Sequence, residues 1–160
     1  VRVPFRSIVC PTDFSPVGNA ALAVARRLAA PGGVLHLAHV RLPAFVLSPM
    51  DASPAFVLPA GNPDEEAEAD RRAAARLRAL PARKTGVSVR VHVLSGADAA
   101  TELLRLAREV SADAVVIGTH GRGGIGRALL GSVASAVSRR SPAPVVLVRP
   151  ARAGRARGRS

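Results

Sequence analysis

The residues best equipped for chemistry share one stretch, AVVIGTHGRGGIGRALLGSVASAVSRRSPAPVVLVR over 114–149. Gly118, Gly121 and Gly131 punctuate it, Ser132 follows the last of them, and Arg122 and Arg127 stand between. Glycines let a backbone approach a ligand closely, and a helix starting near Ser132 would open with N–H groups that have no intrahelical partner. With the positive end of the helix dipole and two guanidinium groups beside it, this is the chemistry of an anion site. No Gly-Lys-Ser/Thr follows, so it is not a Walker A loop, and it does not open on a first strand as a dinucleotide fingerprint does. On glycines alone, a plain turn between strand and helix explains the pattern equally well. Asp13 is the second candidate. Its carboxylate could accept hydrogen bonds from ribose hydroxyls, or it could merely cap the helix that follows. His36 and His39 alternate with apolar residues and have no Cys or carboxylate cluster beside them, so both read as structural and no metal site is expected.

These residues need elements to hold them. Residues 6–11 form a buried first strand around Ile8-Val9-Cys10. Ser15 then caps a helix with Pro16 at its first position, and Pro31-Gly32-Gly33 stops it. Residues 34–40 make the second strand. The segment 42–63 is rich in proline and reads as a long connection without structure of its own, a lid, binding loop or disordered segment. It carries an internal echo, AFVLSP over 44–49 and AFVLPA over 55–60. Two such apolar clusters should pack on something, unless the echo is a coincidence of biased composition. Pro63 starts a helix with acids at its positive end and arginines in its far half, including the i,i+4 pair Glu68 and Arg72, and Leu80-Pro81 ends it. Val87, Val89, Val91 and Val93 alternate with polar residues, the pattern of a third strand at a sheet edge. Asp98 caps the next helix. Ala114 to Gly118 is then a buried fourth strand, a helix runs to about Arg140, and Val145–Val148 is a fifth strand.

The order predicts a single α/β domain, a doubly wound five-stranded parallel sheet in order 3-2-1-4-5 with helices on both faces. It occupies residues 1–150, followed by an Arg-rich, disordered tail over 151–160. In that topology Asp13 and Gly118 both lie at the switch point, at the carboxyl ends of neighbouring strands, where open sheets of this kind bind ligands.

Four segments in this order resemble the universal stress protein (UspA-like) family, in its ATP-binding branch. They are the spacing Gly118-x2-Gly121-x9-Gly131-Ser132, the run IVCPTDFS over 8–15, His39-Val40, and residues 144–148. The resemblance implies a stress-response regulator or signalling module that binds ATP with Mg or Mn on the phosphates. Gly121, Gly131, Ser132 and Val133 would hold the phosphates through backbone N–H groups and the Ser132 hydroxyl. Gly118 and Asp13 would meet the ribose, Val40 would offer backbone groups to the adenine edge, and Pro11 and Thr12 would line the pocket. Ala134 stands where many members carry a second hydroxyl. Arg122 and Arg127 join the site on electrostatic grounds, and His120 is counted among its nucleotide-binding residues. A true ATPase would need a base for water, and only Asp13 and His120 stand near enough to nominate. Neither has an identifiable partner in the sequence, so slow hydrolysis or none is expected and no catalytic residue is assigned. The family also has a branch of dimeric scaffolds that bind no nucleotide, whose members usually lack the glycine spacing.

Composition narrows the alternatives. The chain has 160 residues, 48% of them hydrophobic, enough for one domain with a real core. Four Phe with no Trp or Tyr argue against a stacking platform for single-stranded nucleic acid. The net charge of +12 rests on 23 basic residues, all but one of them Arg. They are scattered, with four in the last ten positions, so an Arg-rich nucleic-acid-associated protein remains only the alternative reading. No apolar run reaches transmembrane length, no signal region opens the sequence, and the single cysteine, Cys10, excludes an internal disulfide. A cytoplasmic protein is expected. Strand Val145–Val148 would lie at a sheet edge with no charge in it, a template for another chain. A homodimer through that strand, besides an unknown protein partner, is the expected assembly.

Overall fold

Runs such as Ile8-Val9-Cys10 and AVVIG, apolar with no polar alternation, are stable only where both faces of a strand are covered. The computed structural model, which describes residues 4–42, 45–47, 57–59, 62–120 and 130–149, places both runs inside a parallel sheet. In chain order the elements are β1 (Phe5–Pro11), α1 (Pro16–Leu28), β2 (Ala29–Arg41), β3 (Phe45–Leu47), β4 (Val57–Pro59), α2 (Pro63–Ala79), β5 (Ser88–Ser95), α3 (Ala99–Glu109), β6 (Ala114–Gly118), α4 (Ser132–Arg140) and β7 (Val145–Val148). Five strands form one sheet, β5-β2-β1-β6-β7, with every pairing parallel. Counted among themselves these run 3-2-1-4-5, as the sequence predicts. β5, with its alternating valines, is one edge and β7 the other.

Period-two alternation divides the core between the two faces. Ile8, Cys10, Leu35, Leu37 and Val116 pack with Ala21, Leu22 and Ala25 of α1 and Leu77 of α2. Their neighbours Val9, Ala38, Val115 and Ile117 point the other way, onto Leu103, Leu106 and Ala107 of α3 and Ala134 and Val137 of α4. Helix starts follow local chemistry. Ser15 Oγ accepts the Gly18 N–H at 3.2 Å, Asn62 Oδ1 the Glu65 N–H at 2.8 Å, and Asp98 the N–H groups of Ala100 and Thr101. Pro16 and Pro63 open α1 and α2. Arg72 Nε meets Glu68 at 2.9 Å, the expected i,i+4 pair on an exposed face.

Two expectations are corrected. Pro31-Gly32-Gly33 does not stop α1. The helix ends at Leu28, Ala29 already pairs with Phe5, and the register then jumps so that Val34 pairs with Ser7. The three residues form an irregularity within β2, where Gly32 takes φ +73°, a left-handed conformation suited to glycine. A β-carbon on Gly33 would lie 2.8 Å from the Arg6 carbonyl, so close backbone approach fixes that glycine. Nor is 42–63 without structure of its own. The two echoed segments pair with each other as an antiparallel ribbon, Phe45 opposite Pro59, Val46 opposite Leu58 and Leu47 opposite Val57. Much of the remaining connection, and the tail 151–160, lie outside the described residues.

Candidate functional site

Chain reversal makes the site. From β1 the chain moves one way to β2 and β5, then returns to place β6 on the other side of β1 and β7 beyond it. The crossovers therefore diverge above the carboxyl ends of β1 and β6, and a crevice opens there. A cleft of about 480 Å³ occupies that position. Pro11, Thr12 and Asp13 reach it from the end of β1, His39 and Val40 from β2, and Gly118, Thr119 and His120 from β6. Gly131, Ser132 and Val133 enter from the start of α4. Thus nine of the residues expected from the sequence converge: Pro11, Thr12, Asp13, Val40, Gly118, His120, Gly131, Ser132 and Val133. The other three, Gly121, Arg122 and Arg127, lie outside the described residues.

The turn after β1 is held in an uncommon shape. Phe14 has φ 64°, a left-handed conformation that disfavours a residue with a β-carbon. Local hydrogen bonds maintain it. Thr12 Oγ1 accepts the Phe14 N–H at 2.9 Å, and Asp13 Oδ1 accepts the Ser15 N–H at 3.0 Å. The Phe14 ring packs on His39 with centroids 4.7 Å apart, while the Arg76 guanidinium lies 3.8 Å over its centroid. His39 Nδ1 lies 2.8 Å from the Thr12 carbonyl. A carbonyl only accepts, so Nδ1 carries a proton and donates it. The turn that presents Asp13 is thereby fastened to both β2 and α2. His39 is structural, as expected, yet its ring also lines the cleft.

The opposite wall is built around α4. Its N-cap is Gly131, with no side-chain cap, unlike α1, α2 and α3, and, unlike α2 and α3, its first turn carries no acid. Gly131 has φ −57°, so its absent side chain serves space and not backbone conformation. A β-carbon there would stand 3.2 Å from the Thr119 carbonyl and 3.7 Å from His120 Cα. The Gly131 N–H donates to that same Thr119 carbonyl at 2.8 Å, and the Thr119 N–H donates to Val148 at 2.9 Å. Strand β7, the end of β6 and the start of α4 are locked together at this point. Gly118 is different. A β-carbon on it would meet Val17 Cγ1 at 2.8 Å, so the glycine is required by the approach of α1 to β6, a packing reason independent of any ligand.

One buried polar atom on the wall, His120 Nε2, has no hydrogen-bond partner among the described residues, whereas Nδ1 lies 2.9 Å from Thr119 Oγ1. A buried group left this way costs about 1–3 kcal/mol.

Sequence reasoning missed Ala99 and Leu103, which bring α3 to the cleft, together with Gly18, Ile117, Thr119 and Leu130, while Ala134, noted there for its missing hydroxyl, lines the cleft as well. The pattern of α3 showed an apolar face, but not that its first turn would reach the crevice. Leu103, Ile117, Leu130 and Val133 give the cleft an apolar side, facing Asp13 and the open end of α4. An apolar slot beside uncapped N–H groups, a carboxylate and an imidazole whose Nε2 has no partner among the described residues fits a phosphorylated nucleoside. Among the described residues no group of three or more His, Cys, Asp or Glu could hold a metal.

Comparison with known proteins gives consistent results. A model of the universal stress protein family matches residues 4–149. Universal stress protein MJ0531 of Methanocaldococcus jannaschii is 30% identical over 150 residues, covering 91% of this chain and 82% of its own length. Among solved structures, hypothetical protein MJ0577 superposes with a TM-score of 0.71 at 20% identity, over 92% of this chain and 97% of its own. A universal stress protein solved in complex with cAMP gives a TM-score of 0.55 at 30% identity, over 92% of this chain and 99% of its own.

Proposed function

The chain belongs to the universal stress protein family, and from that premise we propose that it is a regulatory protein whose cleft binds an adenine nucleotide, ATP foremost. The observation that carries this reading is the uncapped amino end of α4 opening at Gly131 into an apolar cleft at the switch point. A relative 30% identical to this chain has been solved with cAMP, which supports the adenine nucleotide as ligand class. In this reading the N–H groups of Ser132 and Val133 and the Ser132 hydroxyl take the phosphates, with Gly121, Arg122 and Arg127 adding to them. Asp13 accepts from the ribose, Val40 meets the adenine edge through its backbone, and Pro11 and Thr12 close the floor. Gly118 acts through packing. Mg or Mn accompanies ATP on its phosphates, since Asp13 is the one carboxylate among the described lining residues. The role proposed is binding and signalling, with hydrolysis slow or absent.

The working unit in this proposal is a homodimer joined through β7, with a further protein partner reading its nucleotide state. Calorimetric titration with ATP, cAMP, adenosine and GTP tests the central reading. Saturable binding of the adenine compounds, with GTP at least about tenfold weaker, is expected from an apolar slot that reads the base edge. Absence of binding by all four would sink the nucleotide reading and leave a dimeric scaffold.

A further inference from the structure

We infer that His120 is a further side chain that reads the ligand's phosphates, donating from Nε2, and that Thr119 is the positioning residue holding its ring in the donating tautomer. This rests on the nucleotide reading above and adds to it a side-chain contact that backbone N–H groups alone do not supply.

The geometry is specific. Nδ1 is committed to the Thr119 hydroxyl, and Nε2 is shielded from solvent without a partner among the described residues. Thr119 cannot drift. It is 4% exposed, and its backbone bonds on one side to β7 and on the other to Gly131 at the head of α4. The point where a Gly131 β-carbon would stand is 3.7 Å from His120 Cα, and His120 lines the same cleft as Gly131, Ser132 and Val133 at the head of α4. A neutral imidazole offers one donor and one acceptor. A threonine hydroxyl can either give its proton to Nδ1 or accept one from it. An anion held at the end of α4 selects the first arrangement, because a lone pair on Nε2 would face negative charge while an Nε2–H meets it with a hydrogen bond. Thr119 then donates to Nδ1 and Nε2–H donates to a phosphate oxygen. An adenosine without phosphates gains nothing from this arrangement.

The test compares affinities for adenosine, AMP, ADP and ATP in the wild type and in His120→Phe, His120→Gln, Thr119→Val and Thr119→Ser. His120→Phe should weaken ATP by about tenfold or more and leave adenosine within about twofold, the usual scale for a hydrogen bond to a charged group. His120→Gln, whose amide can still donate, should recover most of the loss. Thr119→Val should weaken ATP less than His120→Phe does, and Thr119→Ser should behave as wild type. Because a phenylalanine could disturb the wall itself, the His120 ring nitrogens are also followed by ¹⁵N NMR in the wild type during titration with inorganic tripolyphosphate. Nε2 should shift to its protonated, hydrogen-bonded position while Nδ1 remains an acceptor, and the Thr119→Val variant should lose that preference. Three outcomes decide. ATP binding that His120→Phe leaves intact, or adenosine weakened as much as ATP, overturns the role of His120 while the nucleotide reading stands. A tripolyphosphate response without adenosine binding keeps His120 as a phosphate donor and overturns the adenine assignment. No binding and no ring response overturns both.

Discussion

At the scale of single residues, the glycines show how different physical demands share one letter. Gly118 and Gly131 both belong to the spacing that marks the site, yet neither is needed for a left-handed conformation. Gly118 makes room for Val17, and Gly131 leaves open the space between Thr119 and the end of α4. Gly131→Val should therefore cost stability only modestly, about 1–2 kcal/mol from crowding the Thr119 carbonyl, while weakening ATP at least about a hundredfold. Calorimetry beside thermal melts separates the two effects, and unchanged affinity would remove Gly131 from the site. A second prediction concerns His36 and His92, whose ring nitrogens meet at 3.0 Å across β2 and β5. Burial first, then His92 and Arg90, push the His36 imidazole down to about 4, and burial and Arg90 lower His92 against a smaller opposing effect of Glu109. The unfolded chain takes up these protons near the ordinary imidazole value, so it binds more protons than the fold between about pH 6.5 and 4. Stability should fall as pH drops through that window, with Tm at pH 5 about 3 °C or more below that at pH 7. His36→Gln should flatten the slope. An equally steep slope in the variant would show that other groups set it. The sequence marked His36 as structural and His92 only as one of the polar residues alternating along β5, and their pairing depends on strand register, which no local pattern displays.

At the scale of elements, caps and apolar runs were the most legible features because each depends on contacts within a few residues. Ser15, Pro63 and Asp98 mark helix starts as expected, and the runs in β1, β6 and β7 lie in the sheet. What failed to show was non-local. The end of α1 was set by pairing of Ala29 with Phe5, a contact across the sheet that overrides the turn chemistry of Pro31-Gly32-Gly33. The ribbon of β3 and β4 is likewise a pairing of distant segments, and the echo hinted at it without revealing the partner. β7 carries the prediction for assembly. The carbonyls of Pro144 and Val148 accept from Val115 of β6 and from Thr119 just beyond it, so in a strand the backbone groups of Val145 and Leu147 face the free edge. Val146 and Val148 pack on the core, whereas Leu147 is 41% exposed. The edge can thus be blocked without touching the core. Leu147→Pro removes an outward N–H and places a ring at the seam while sparing the bonds to β6. Light scattering should give a monomer for this variant against a dimer for the wild type, with ATP affinity within about twofold. A variant that stays dimeric would place the interface elsewhere.

At the scale of the whole molecule, topology converts scattered residues into a site. Asp13 and Gly118 are more than a hundred positions apart in sequence, but the reversal after β5 seats their strands side by side, and this much followed from the order of elements alone. The contributions of Ala99 and Leu103 did not, because the angle at which α3 lies on the sheet depends on packing against α4 and β2 and is not written in its own periodicity. Among the described residues no helix is long and apolar enough to cross a membrane. A second groove, lined by Arg83, Lys84, Thr85, Val87 and Val89 beside β5, offers positive charge far from the switch point and serves as an internal control. The most direct measurement is an amide NMR titration of the ¹⁵N-labelled protein with ATP. The account predicts saturable shifts at Thr12, Asp13, Val40, Thr119, His120, Ser132 and Val133, with Arg83, Lys84 and Thr85 unmoved. Shifts confined to Arg83, Lys84 and Thr85, or no shifts at millimolar ATP, would contradict it.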